Sequence, residues 1–303
     1  MEIPLECRDV RDIKGVEVLE ALLACPRCHT TYPIREGLAN LIPPSSSLAG
    51  PRVSRYEAPS MISSYLWAHY ADITGDHEAN HHVYEMWASV IHEGAGFALD
   101  AGCAVGRLTF EVSRRADYSV GVDASLGLIK KARELMSNRA VRFTLPEEGL
   151  LHRIEEIQLP DHIKTNNVEF LLADVERLPF SSSQFGAVAS LNILDKVSHP
   201  LKHLQEIDRV SVDVGAQLLF SDPFSWSPEV TAPENWLGGK KEGSFKGRGY
   251  DNVVNLVGGR IRGLKKNWRI EEKGQLWWKI RNHANHFELI RSLFFTAVST
   301  GTS

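Results

Sequence analysis

Phe97-Ala98-Leu99-Asp100-Ala101-Gly102-Cys103-Ala104-Val105-Gly106-Arg107, followed by a helical run and then Tyr118-Ser119-Val120-Gly121-Val122-Asp123, is the stretch on which the fold turns. Residues 97–99 form a short apolar run of the kind that makes a buried parallel strand. Asp100 stands where that strand ends, and Gly102 and Gly106 bracket a turn into a helix beginning near Val105. Gly102 permits a tight turn and lets a ligand approach where any Cβ would clash. The helix N-terminus beside it offers free N–H groups. A second strand over 119–122 ends in Asp123. A carboxylate at the tip of the second strand of a doubly wound sheet is placed to accept both hydroxyls of a ribose.

Two nucleotide-type ligands suit such a corner. A dinucleotide fingerprint is Gly-x-Gly-x-x-Gly, because the pyrophosphate must touch backbone. Here the spacing is Gly102-x-x-x-Gly106, with Asp100 two residues ahead of the first glycine. That acid would repel a pyrophosphate and suits the ammonium of a methionine moiety. The bland alternative is an ordinary strand-turn-helix whose glycines serve packing alone. The pattern Asp100-x-Gly102-x-x-x-Gly106 resembles motif I of the class I S-adenosylmethionine-dependent methyltransferases. The resemblance implies an α/β fold, a seven-stranded Rossmann-like methyltransferase sheet with helices on both faces, and S-adenosylmethionine as cofactor. It also implies contacts to that cofactor from Asp100, Gly102, Cys103 and Gly106 at the first corner, and from Asp123 and Ala124 at the second.

The 303 residues suffice for one large or two small domains with a sizeable core. Hydrophobic content of 43% and charged content of 24% are ordinary for a soluble protein. A net charge of -4 exerts no global pull toward nucleic acid or anionic membranes, so neither is an expected partner. No apolar run approaches a membrane span, and no basic-then-apolar leader opens the sequence. Four cysteines in this length do not read as a disulfide framework, and a reducing, cytoplasmic setting is expected.

Residues 1–44 read as a small ribbon-like module of their own. Cys25-Pro26-Arg27-Cys28 has zinc-knuckle spacing, since two thiolates on one tight turn can share a tetrahedral metal. A full ribbon needs a second pair; Cys7 stands upstream, but Val10 occupies its partner's place. The segment, with its Tyr32-Pro33-Ile34 and Gly37 tail, resembles the second half of the small zinc ribbon that activates tRNA and release-factor methyltransferases. Either zinc is held by Cys7, Cys25 and Cys28 with His29 or an Asp, or the ribbon has lost its metal and kept its packing; redox chemistry is a third reading. The Pro/Ser/Gly-rich run 43–51 marks a linker, placed at 45–54, ahead of a domain over 55–303.

Tyr56, Tyr65, Trp67 and Tyr70 precede the first strand, where aromatics either cover a cofactor pocket or fill core. A helix is expected over 77–93, with His77, His81 and His82 on a solvated face rather than on a metal. Ser125 is the expected N-cap of a helix running to 136. Residues 139–166 exceed a minimal connection and read as a substrate-side lid. A third strand over 168–173 ends in Asp174-Val175. In the fold that motif I implies, Asp174 bonds the adenine amino group and the Val175 N–H a ring nitrogen, with Leu178-Pro179-Phe180 as an apolar wall; a helix cap is the other reading of Asp174. The fourth strand, 184–191, brings Asn192 and Asp195 to its carboxyl end, where the substrate must arrive. A helix over 199–210 and a fifth strand over 216–220 follow. A loop rich in aromatics with polar tips then carries Asn235 and Trp236, suited to caging a small polar substrate. Two long strands, 268–281 and 286–298, close the chain with His283 and His286 at their joint.

Several stretches together resemble the methyltransferase domain of the ovothiol-biosynthesis enzymes, which methylates an imidazole nitrogen of a thiolated histidine. They are Arg55-Tyr56-Glu57, His69-Tyr70, 99–107, Asn192-Ile193-Leu194-Asp195, 233–239 and Ile280-Arg281-Asn282-His283-Ala284. Where the fused enzymes carry an iron-dependent sulfoxide synthase ahead of this domain, the sequence has the ribbon-like module. The resemblance implies N-methylation of a small polar substrate. The sulfonium is already activated, so the protein must chiefly align the groups and exclude water. An imidazole nucleophile must present a lone pair, so a carboxylate or His holds the other ring N–H or takes its proton. The candidates for catalysis are Asp195, Tyr56 and Asn192, the last also expected to touch the cofactor; for substrate binding, Tyr56, Tyr70, Asn235, Trp236 and His283, the last for a substrate carboxylate. Two other readings stand: a methyltransferase acting on RNA or protein through residues 1–44, and a non-catalytic cofactor-binding interaction subunit. The first lacks a basic surface in the module, and the second has no use for Asn192 beside an aromatic-rich loop.

Overall fold

The computed structural model describes residues 3–46, 48, 55–79 and 82–302. Four strands open the chain, β1 (Glu6–Lys14), β2 (Glu17–Ala24), β3 (Thr31–Arg35) and β4 (Leu38–Ala39), forming an antiparallel sheet in sequential order. Strand β1 is exposed along its whole length, whereas Ala21, Ala24, Leu38 and Ala39 turn inward. Ala39 and Leu41 share one apolar core with Leu99, Val122 and Phe220 farther along the chain. Most of the expected linker lies outside the described residues, apart from Ser45, Ser46 and Leu48.

Helices α1 (Pro59–Thr74) and α2 (Val83–Ser89) lead to β5 (Phe97–Ala101), α3 (Arg107–Val112), β6 (Tyr118–Asp123) and α4 (Leu126–Asn138). A hairpin, β7 (Ala140–Glu148) and β8 (Leu151–Gln158), precedes β9 (Val168–Leu172), β10 (Ala187–Leu191), α5 (Pro200–Val210) and β11 (Val214–Asp222). The chain ends with α6 (Gly249–Val257) and the long pair β12 (Lys266–His283) and β13 (His286–Thr302).

The main sheet has seven strands in the order β12-β13-β11-β10-β5-β6-β9. Strands β5, β6, β9, β10 and β11 run parallel, and β13 returns antiparallel between β11 and β12. Successive side chains alternate faces, as the pleat requires. Leu99, Val188 and Leu218 pack against α5 and α6, while Ala98, Ala187 and Leu219 pack against α1, α2 and α3. Burial on both faces explains why these strands read as apolar runs rather than alternating ones. The α/β architecture with a mixed seven-stranded central sheet is as expected. At the far edge, the Leu41 N–H donates to the Leu172 carbonyl of β9 at 2.7 Å, so the N-terminal chain continues the sheet.

Two expectations are corrected here. Only Val83–Ser89 of the 77–93 segment is helical. Asp76 takes the Glu78 N–H at 2.9 Å and the Trp67 indole at 2.9 Å, and His82 sits at φ 55, so local side-chain bonds displace the helix. His81 lies outside the described residues. The segment read as a lid is a β-hairpin packed on α1 and α4, with Leu145 and Ile157 fully buried. No described helix is long and apolar enough to cross a membrane.

Candidate active site

All five parallel strands deliver their carboxyl ends to one edge of the sheet. At the end of β5 the chain reverses over Gly102 (φ 89), whose N–H, with that of Cys103, donates to the Val122 carbonyl at 2.8 and 3.0 Å. Gly106 (φ 84) then caps α3, which begins at Arg107, two residues later than the expected start near Val105. A Cβ on Gly106 would lie 2.5 Å from the Phe170 ring, and one on Gly102 2.9 Å from Ile193, so both positions demand glycine twice over.

Asp100 is 4% exposed and accepts the Thr109 hydroxyl at 2.8 Å. Burial raises its pKa to about 7; the charge of Asp123 adds to the push and the Thr109 bond opposes it. Asp123 accepts the Ala104 N–H at 3.0 Å on one oxygen and the Ser125 N–H at 2.9 Å on the other. Burial nonetheless holds its carboxyl above the usual range. Each Asp123 oxygen keeps a lone pair for one of two adjacent hydroxyls. Ser125 caps α4 by accepting the Leu128 N–H at 3.3 Å, as expected. Ala124 is exposed beside it. Cys103 lends only backbone, because its thiol is buried against Gly121 and burial lifts its pKa well above the ordinary value. A buried carboxylate short of compensating charge, beside a second with paired free acceptors, fits a ligand carrying an ammonium at one end and a ribose at the other.

One strand over, Asp174 follows β9. Its Oδ1 accepts the Glu176 N–H at 2.8 Å and its Oδ2 the Ser46 hydroxyl at 2.7 Å. No helix follows it, so the helix-cap reading is dropped. Val175 is buried next to it, with Leu178 behind. The three carboxylates thus end three adjacent strands, β5, β6 and β9.

On the other side of β5, Asn192 ends β10 in the left-handed region at φ 57. Its Oδ1 accepts the Ser292 hydroxyl at 2.6 Å, and Ser292 in turn accepts the Trp278 indole N–H at 2.9 Å. The long β12–β13 pair therefore sets the Asn192 amide and leaves its hydrogens for a ligand. Asp195 is fully buried; its Oδ2 accepts the Ser225 N–H at 2.6 Å and its Oδ1 lies 2.9 Å from Lys196 Nζ. The Asp195 N–H reaches Asp222 Oδ2 at 3.3 Å. Asp222 is fully buried too, and burial, then the Asp195 charge, pushes its pKa well above the ordinary value.

Tyr56 links the two halves. Burial raises its pKa, and the charges of Lys196, Asp123 and Asp195 all reach its hydroxyl. Its ring meets Tyr65 edge-on at 5.9 Å; Tyr65 lies 5.8 Å from His69, and His69 4.4 Å from Tyr84. The wall so formed closes back on Asp100, whose charge acts on the Tyr84 hydroxyl. Burial pulls the His69 pKa down to about 3, so its imidazole is neutral. Its Nδ1 meets no partner among the described residues.

Four candidates for substrate binding and the three cysteines offered for metal do not hold their expected places. Tyr70 is fully buried and spends its hydroxyl on the Val105 carbonyl at 2.8 Å, pinning α1 to the corner instead of facing a substrate. In the proposed cage, Asn235 donates to the Ser198 carbonyl ahead of α5 at 3.2 Å and the Trp236 indole to the Thr231 carbonyl of its own loop at 2.8 Å, so each places an N–H on backbone. His283 belongs to the β12–β13 turn, accepting the Asn285 N–H at 3.3 Å, and the Ala284 N–H of that turn docks on the Glu147 carbonyl of β7. The three cysteines do not converge: Cys28 bonds Thr30 at 3.2 Å, which lowers its pKa to about 7, but Cys7 completes no ligand set with Cys25 and Cys28. The described group that does bring three ligand atoms within 4.8 Å is Asp72, His82 and Glu85, where Arg107 already pairs with Asp72 at 2.8 Å.

Sequence reasoning passed over Ser46, Tyr84, Ser292 and Asp222, and took His69 only as part of a resembling stretch. Asp222 was findable, since the end-of-strand position that marked Asp100, Asp123 and Asp174 marks it too. The others arrive from distant segments and carry no local signal.

Residues 99–218 match a family model described as a methyltransferase domain. No curated protein matches the chain. Among solved structures, an S-adenosylmethionine-dependent methyltransferase from Methanosarcina mazei is 15% identical over 71% of this chain and 97% of its own, with a TM-score of 0.44. Magnesium protoporphyrin IX methyltransferase from Synechocystis, solved with bound S-adenosylmethionine, is 13% identical over 83% and 88%, with a TM-score of 0.43. A protein described by the conversion of a disulfide bond into a thioacetal group in echinomycin biosynthesis is 18% identical over 73% and 81%, with a TM-score of 0.46. Over residues 99–218 the chain carries a methyltransferase domain.

Proposed function

We propose that this S-adenosylmethionine-dependent methyltransferase methylates a nitrogen of a small polar substrate, such as the imidazole of a thiolated histidine. The observation that carries the reading is the roof over the corner. Tyr56, Tyr65, His69 and Tyr84 form a continuous aromatic wall between Asp123 and Asp100. A site walled so closely suits a small molecule better than a folded macromolecule. Strand β1, the exposed face of the N-terminal sheet, alternates Glu6, Arg8, Asp9, Arg11, Asp12 and Lys14, which lends no support to RNA as the acceptor.

Asp100 receives the ammonium, Asp123 the ribose hydroxyls, and Asp174 with the Val175 N–H the adenine edge, while Gly102 lets backbone approach. Bound there, the cofactor supplies an activated sulfonium methyl. What remains for the chain is alignment. Asn192, set by Ser292, is the donor nearest the tip of β10 and orients the acceptor. Tyr56, with Lys196 and Asp195 behind it, holds the ring N–H opposite the attacking nitrogen, so that the lone pair faces inward.

Transfer of labelled methyl to thiolated histidines, plain histidine and total RNA tests this. Label in the thiolated histidine, on nitrogen, supports the reading. Label in RNA or protein, or no transfer to any imidazole, refutes it.

A further inference from the structure

We propose that Ser46, carried by the segment leaving the N-terminal sheet, is a positioning residue of the adenine site, so that the docking of that sheet sets affinity for the cofactor. The inference rests on the assignment of Asp174 to the adenine amino group.

The Ser46 hydroxyl is buried and accepts the Leu48 N–H at 3.1 Å. Its single hydrogen is therefore directed at Asp174 Oδ2, 2.7 Å away. The other Asp174 oxygen is held by the Glu176 N–H at 2.8 Å. Donors from two separate segments thus fix the plane of the carboxylate, and with it the direction of the lone pair left for a ligand donor. Removing one of them frees the carboxylate to turn.

The segment bearing Ser46 is itself anchored on both sides. Arg177, just past Asp174, donates to the Ser45 hydroxyl at 2.7 Å, and the Ser46 N–H closes a turn on the Pro43 carbonyl at 2.8 Å. Upstream, the Leu41 N–H donates to the Leu172 carbonyl, two residues before Asp174. From α4, buried Arg133 reaches Glu17 on β2 at 2.7 Å and also pairs with Glu169 on β9, while Lys130 pairs with Glu36 at 3.0 Å. These bonds accordingly tie the N-terminal sheet to β9 and to the segment carrying Asp174. A 6-amino purine donates to a fixed carboxylate, whereas a 6-oxo purine presents an acceptor and gains nothing from it. Ser46 should therefore act on the choice of base as well as on affinity.

The test is calorimetric titration of the whole chain with S-adenosylhomocysteine and S-inosylhomocysteine, comparing wild type with Ser46→Ala, Ser46→Thr and Asp174→Asn. Losing one hydrogen bond to a charged group should weaken the adenosyl ligand about tenfold in Ser46→Ala and leave the inosyl ligand unchanged. Ser46→Thr, which keeps the hydroxyl, should retain the preference, and Asp174→Asn should abolish it. If Asp174→Asn abolishes the preference but Ser46→Ala leaves it intact, or weakens both ligands alike, the positioning role is overturned and the adenine assignment survives. If Asp174→Asn keeps the preference, or neither ligand binds, the assignment falls and the inference with it.

Discussion

Lowering the pH should release the cofactor well before it unfolds the protein, and Asp100 sets the range. Its carboxyl is buried and its pKa stands at about 7, against an ordinary value of 3.8. The sign follows from linkage: the folded state binds the proton more tightly than the unfolded chain, so Asp100 favours folding below 3.8 and progressively withdraws that contribution as pH rises toward 7. The loss is on the order of 4 kcal/mol at full ionisation. A ligand ammonium needs the ionised form, so binding near neutrality must expel the proton. At one unit below the Asp100 pKa only about a tenth of the carboxylate is ionised, and affinity should be about tenfold below its plateau, falling one decade per further unit. Calorimetry with S-adenosylhomocysteine from pH 5.5 to 8, in two buffers of different ionisation enthalpy, reads both quantities. Proton release should be near one at about pH 6 and near zero at about pH 8. Methylthioadenosine, which lacks the amino acid end, should show neither effect, and Asp100→Asn should remove the slope while weakening binding about a hundredfold. A flat affinity across this range, or equal slopes for both ligands, would refute the placement of the ammonium on Asp100.

Three further outcomes follow from the geometry. Gly106→Ala combines a left-handed φ of 84 with a Cβ 2.5 Å from the Phe170 ring, and should cost about 2–4 kcal/mol in urea denaturation. Asp222 has a raised pKa in the fold, so its contribution to stability is present in acid and is lost as pH rises; Asp222→Asn should flatten the plot of thermal midpoint against pH, and an unchanged slope would remove the Asp195–Asp222 repulsion from consideration. Tyr70→Phe should lower stability by about 1–2 kcal/mol through the unpaired Val105 carbonyl while leaving KM for a small substrate unchanged; a raised KM would return Tyr70 to the substrate site.

The corner was legible because its determinants are local. A residue at the end of an apolar run, two glycines held at positive φ and an acid one strand later all lie within 97–123, and the structure places them together at one edge. The cage was misread because an aromatic-rich loop with polar tips looks the same whether those tips face a ligand or, as with Asn235 and Trp236, backbone carbonyls of the protein itself. Residues 77–93 carried helical spacing, but Asp76 binds the Glu78 N–H and the Trp67 indole, a competition that no periodicity reveals. Ser46 and Asp174 stand 128 residues apart, and only tertiary structure joins them.

Strand β9 ends the run of parallel strands, and a strand in that position ordinarily shows a row of bare amides and carbonyls to any neighbouring chain. Here the Leu172 carbonyl is already taken by the Leu41 N–H. The N-terminal sheet is thus a selvedge as well as an attachment. A polypeptide begun at residue 55 would leave that border open, adding stickiness toward its own kind to the loss of the Ser46 hold on Asp174.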